Sequence, residues 1–125
     1  MEKRKILLID DDVDLTELLK ATLEKTGKYE VRVQNSGSRG LDSAKLFKPD
    51  LIVLDFSMPD MDGSEVAQMM MDDEEVKKIP LVFLTSIVTD EDVKPGGGLI
   101  GGIRFIAKLQ PLRKLIASIE ENIPT

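Results

Sequence analysis

Short, unbroken apolar runs recur along this chain, spaced so that a helix fits between each pair. Ile6-Leu7-Leu8-Ile9, Leu51-Ile52-Val53-Leu54 and Leu81-Val82-Phe83-Leu84 are apolar at every position. A strand covered on both faces reads this way, because neither side of it meets water. Between the runs the period changes. Leu15, Leu18, Leu19 and Leu23 recur at helical spacing within residues 14–26, and Gly27 stops that helix. Tyr29, Val31 and Val33 alternate with polar residues, as a half-exposed strand does. Leu41, Ala44 and Phe47 share one face of a second helix, which Pro49 ends. Residues 64–71 can be helical with Val66, Met69 and Met70 inward, residues 103–106 form a weaker strand, and Leu112, Leu115, Ile116 and Ile119 make the stripe of a last helix.

Strands alternating with helices build βαβ units and a parallel sheet, and right-handed crossovers place helices on both faces. For five strands the expected fold is α/β and doubly wound, flavodoxin-like, with strand order 2-1-3-4-5. Ligands of such sheets sit outside the carboxyl ends of the strands, at the switch point between strands 1 and 3. The first of the runs is followed there by Asp10-Asp11-Asp12, and the second by Asp55. Carboxylates delivered side by side repel unless a cation joins them or protons stay on. Asp10, Asp11 and Asp55 therefore ask for a metal and supply a nucleophile in one place. Asp12 reads as a helix cap.

Composition narrows the function. The chain has 125 residues, enough for one domain, residues 1–125, with little room for a second. A net charge of −6 argues against direct nucleic-acid binding, which calls for a basic face. Cysteine and histidine are absent, which removes disulfides, thiol chemistry and any histidine-based base or zinc site. The basic start Met1-Glu2-Lys3-Arg4-Lys5 precedes an apolar run too short for a signal peptide, and no stretch reaches membrane-span length. A cytoplasmic protein without membrane insertion is expected. Met69-Met70-Met71 reads as core filler and surface, and Asp60 and Asp62 lack the alternating oxygen ligands of an EF-hand.

One stretch breaks the alternation. Residues 95–102 hold five of the nine glycines, and each interior helical glycine costs about 1 kcal/mol relative to alanine. A fourth helix is expected to be short, or partly replaced by a glycine-rich loop.

Around the second acidic strand end the chain reads DLIVLDFSMPDMDG. This resembles the receiver domain of two-component response regulators, whose phosphoacceptor region has the form D-x-x-M-P-x-M-D-G. Asp55, Met58, Pro59, Met61, Asp62 and Gly63 fill that pattern, and the acidic pair after strand 1, Thr85 at the end of strand 4 and Lys108 after strand 5 match in order and spacing. The resemblance covers essentially the whole chain. It implies a phosphoacceptor signalling module with no output domain, not an enzyme, loaded by a histidine kinase or histidine phosphotransfer protein and read by a downstream protein that the sequence does not name. It further implies Asp55 as acceptor and Mg²⁺ as cofactor, held by Asp11 and Asp55 directly, by Asp10 through water and by the backbone carbonyl of Ser57. Thr85 and Lys108 would grip the phosphoryl oxygens. Phe105 stands where the family has an aromatic switch residue, and is equally readable as core.

The pattern departs from the family at two places. Leu109 follows Lys108 where a cis proline is usual. A non-proline cis bond costs about 3–4 kcal/mol, so a trans Lys108–Leu109 bond is expected, or a strained cis bond held by its surroundings. Ile87, two residues beyond Thr85, cannot orient an attacking water, and a long-lived phosphoryl state follows. Two other readings compete. A degenerate receiver would serve only as a protein-binding module. An aspartate-nucleophile phosphohydrolase would need threonine or valine where Asp14 stands, and a cap domain that is missing.

Overall fold

In a computed structural model, which describes residues 2–86, 98–100 and 103–124, the chain alternates strand and helix as its periods require. The elements are β1 (Arg4–Ile9), α1 (Val13–Lys25), β2 (Tyr29–Gln34), α2 (Gly40–Phe47), β3 (Leu51–Asp55), α3 (Gly63–Met71), β4 (Leu81–Thr85), β5 (Gly98–Ile100), β6 (Ile103–Ala107) and α4 (Leu112–Glu121). Single 3₁₀ turns at Gly37–Arg39 and Val76–Lys78 lead into α2 and β4. The sheet runs β2-β1-β3-β4-β6-β5. Its five parallel strands have the expected 2-1-3-4-5 order, with β6 as the fifth.

Gly98–Ile100 adds a sixth, antiparallel strand on the outer edge of β6, where a loop was expected. The expected short fourth helix falls largely on residues 87–97 and 101–102, and Ile87 is among them; these lie outside the described residues.

Strand alternation splits the core in two. Ile6 and Leu8 point to one face with Val31, Leu51 and Val53, where Leu19 and Leu23 of α1 and Leu115 and Ile119 of α4 cover them. Leu7 and Ile9 point to the other with Ile52, Leu54 and Phe83, under Ala44 and Phe47 of α2 and Val66, Ala67 and Met70 of α3. The uniformly apolar runs follow from this sandwiching: the two faces of β1 and β3 are both dry, and each fully buried leucine or isoleucine contributes about 1.5–3 kcal/mol. Helix ends follow local chemistry. Asp12 caps α1 by accepting from the Leu15 N–H at 3.1 Å, and Gly27 takes the left-handed φ of +78° that closes the helix, donating its N–H to Glu24 O.

Candidate functional site

Four strand ends converge at the carboxyl edge of the sheet. Register fixes their alignment: Ile9 of β1 lies beside Leu54 of β3, Asp55 beside Leu84 of β4, and Thr85 beside Ala107 of β6. Asp10, Asp55, Thr85 and Lys108 are thus the residues that end or follow neighbouring strands. Asp10, Asp55 and Thr85 are buried, while Asp11 is exposed.

Carboxylate oxygens of Asp10, Asp11 and Asp55 all lie within 4.8 Å of one another. The Lys108 ammonium reaches into this group. Its Nζ stands 3.1 Å from Asp10 Oδ1 and 3.0 Å from Oδ2, and 3.6 Å from Asp55 Oδ2. Lys108 is therefore paired with Asp10 first and with Asp55 second. Its peptide bond to Leu109 is trans, since the described residues contain no cis bond. The ammonium arrives at the acceptor strand without the usual proline.

Protonation follows from this crowding. Burial pushes the Asp55 carboxyl up to about 7, the charge of Asp10 adds to the rise, and Lys108 and the Ser57 N–H only partly reverse it. Burial also raises Asp10, against the Asp12 N–H and Lys108. For Lys108 burial acts to lower the value, but the hydrogen bond and charge of Asp10 and the charge of Asp55 outweigh it and hold the ammonium protonated.

The donor set suits a hard divalent cation. One ammonium faces three carboxylates, and Asp10 Oδ2 and Asp55 Oδ2, both buried, accept no hydrogen bond and share that ammonium as an ion-pair partner at 3.0 and 3.6 Å. All ligating atoms are oxygens, and unfilled acceptors in a dry pocket are what a cation of the Mg²⁺ or Ca²⁺ kind satisfies.

Other predicted residues fall around this pocket. Ser57 donates its N–H to Asp55 Oδ1 at 3.4 Å. Thr85 accepts the Lys108 N–H on its carbonyl at 2.7 Å, carrying the β4–β6 ladder one step further. Phe105 is buried beside Phe83 in the core under α2 and α3.

Three contributors carried no sequence signal that the periods or motif could show. Asn35, just past β2, donates to the Asp10 carbonyl at 2.7 Å and to buried Thr16 Oγ1 at 3.0 Å, fixing the turn that presents the acids. Asp60, dismissed as a calcium ligand, accepts from Ser36 and from the backbone of Gly37 and Ser38. Gln110 folds the chain back after Lys108.

The sequence model of the response regulator receiver domain matches residues 6–120. The chain belongs to this family. Among relatives of the receiver, the nisin biosynthesis regulatory protein NisR of Lactococcus lactis subsp. lactis is 36% identical over 95% of this chain. The match covers 50% of NisR, so the chain spans about half the length of that relative. The non-phosphorylated HemR receiver domain of Leptospira biflexa superposes with a TM-score of 0.78 at 32% identity, over 98% of this chain and 96% of that one. The chemotaxis protein CheY4 of Vibrio cholerae gives a TM-score of 0.80 at 25% identity, over 98% of this chain and all of that one. The receiver is a signalling module with an acidic pocket able to hold a metal ion. Among its described residues no helix is long and apolar enough to cross a membrane.

Proposed function

We propose that this receiver is a cytoplasmic phosphoacceptor of a two-component or relay pathway, taking a phosphoryl group onto Asp55 from a histidine kinase or histidine phosphotransfer protein. The observation that carries the reading is the placement of the Asp55 carboxylate, buried at a strand end, between two acidic neighbours and an ammonium 3.6 Å away. A carboxylate oxygen of Asp55 attacks phosphorus. The new P–O bond forms as the P–N bond of the donor's phosphohistidine breaks, and the departing imidazole takes up a proton from water.

Mg²⁺ held by Asp11, Asp55, the Ser57 carbonyl and, through water, Asp10 would supply charge neutralisation for the incoming group. Lys108 offers a mobile point charge to one phosphoryl oxygen and Thr85 a hydroxyl to another. Both stand at the carboxyl edge of the sheet, where the neighbouring strands β4 and β6 end, and Phe105 lies on β6 beside Phe83 in the core under α2 and α3. A shift of these groups towards the phosphoryl oxygens reshapes that edge for a downstream protein, rather than for nucleic acid.

The test is intact mass after exposure to acetyl phosphate and Mg²⁺. One phosphoryl group is expected on the wild type and none on Asp55→Asn. Wild-type protein that gains no mass would reduce this chain to a protein-binding receiver, and steady release of phosphate from a monoester would make it a hydrolase.

A further inference from the structure

We infer that Gln110 is a positioning residue for Lys108: it closes the bend after β6 and thereby sets where the ammonium group stands. The inference rests on Asp55 being the phosphoryl acceptor. β6 ends at Ala107, in register with Thr85. The Lys108 N–H donates to the Thr85 carbonyl at 2.7 Å, so the lysine backbone still belongs to the sheet on one side. Beyond it the chain has to leave the sheet and enter α4, and Gln110 makes two bonds that do this. Its N–H donates to the Lys108 carbonyl at 3.2 Å. Its side-chain Nε2 donates to the Ala107 carbonyl at 2.7 Å.

The two peptide groups flanking the Lys108 Cα are therefore held by three hydrogen bonds, one to β4 and two from Gln110. This matters because a lysine side chain is long and free. Ordering it costs rotamer entropy, and its reach depends on where its Cα is pinned. With the bend closed, Nζ lies 3.0 Å from Asp10 and 3.6 Å from Asp55. The neighbouring side chains cannot do the same work. Leu109 is apolar and 67% exposed, and Pro111, the N-cap of α4, has no N–H to give. The bend is all trans, so it is the glutamine amide that takes the chain round, not an isomerised peptide.

Gln110→Met keeps the length and packing of the side chain and removes the donor; Gln110→Ala removes both. The rate of acetyl-phosphate labelling of Asp55 at saturating Mg²⁺ is expected to fall about tenfold in each, the loss of one well-placed hydrogen bond. Mg²⁺ affinity by calorimetry should stay level or rise, because Lys108 and the cation compete for the same Asp10 oxygens. In a Lys108→Ala background the Gln110→Met change should do nothing further. Equal losses in both backgrounds, or Mg²⁺ affinity falling in step with the rate, would overturn the assignment, because both are the signature of a loosened fold. So would wild-type labelling by Gln110→Met. A wild-type chain that is not labelled at all removes the acceptor reading itself; a labelled wild type beside an unaffected Gln110→Met removes only the role given to Gln110.

Discussion

Gly63 is the residue on which the acceptor strand closes. A Cβ there would run into the carbonyl oxygen of Asp55, and would stand 2.7 Å from Phe56 Cα and 2.9 Å from Phe56 O. All three are backbone atoms, so no side chain can swing aside. The Gly63 N–H also donates to Phe56 O at 2.9 Å. The glycine that follows Asp62 is thus needed for contact, because α3 begins directly against the strand end that carries Asp55. Gly63→Ala is expected to cost about 2–3 kcal/mol, in the range of overpacked cores, read as a fall in melting temperature. A variant that melts with the wild type would show that α3 can retreat without cost. At this scale the acids were legible in the sequence, since Asp10 and Asp55 end apolar runs and the pairing of like charges is a chemical demand visible in the letters. Asn35 and Gln110 were not legible, because each works by donating to a backbone carbonyl. Any donor side chain reaching that point in space would serve, and no pattern of residue types marks it.

The elements were readable wherever side-chain periodicity decides them, and unreadable where the neighbour does. The runs 6–9, 51–54 and 81–84 became β1, β3 and β4 because their burial is written into every residue. Gly98–Ile100 pairs with β6 through backbone hydrogen bonds, which need no apolar side chain, and so a glycine-rich segment reads as loop. The ties between loops were equally silent. Asp60, in the loop from β3 to α3, accepts from Ser36 Oγ at 2.8 Å, Ser38 N at 3.1 Å and Gly37 N at 3.2 Å, all in the turn between β2 and α2. The Ser36 hydroxyl, with the Ser38 and Gly37 N–H groups, holds this exposed carboxyl down at about 2. A folded value below the ordinary 3.8 gives stability that is present above pH 3.8 and lost as the pH falls towards 2. Asp60→Asn should therefore unfold less steeply than the wild type between those pH values, followed by circular dichroism. If the tie steadies the loop that carries Ser57, Asp60→Ala and Ser36→Ala each slow labelling of Asp55, and the double variant is no slower than the worse of the two. Additive slowing would show that the two residues act separately.

Across the whole molecule, the first edge strand and the last helix are fastened to one another. The Tyr29 hydroxyl, at the start of β2, donates to Glu120 Oε2 of α4 at 2.7 Å, spanning 91 residues of sequence. Leu115 and Ile119 of the same helix pack with Tyr29 in the core that α1 also covers, so one sheet face carries both ends of the chain order. Burial pushes the phenol from 10.0 up to about 12, and the hydrogen bond and charge of Glu120 push the same way. The raised folded value means that the protonated phenol stabilises the fold fully below pH 10, and that this contribution is lost as the pH rises towards 12. A rise of that size is worth on the order of 3 kcal/mol at most. Tyr29→Phe should thus be less stable than the wild type near pH 8, by about 1 kcal/mol for the missing hydrogen bond, and its deficit should shrink or reverse between pH 10 and 12. Urea unfolding of the two proteins across that range measures the difference. A deficit that stays constant through pH 12 would mean that the phenol ionises as easily in the folded chain as in the unfolded one.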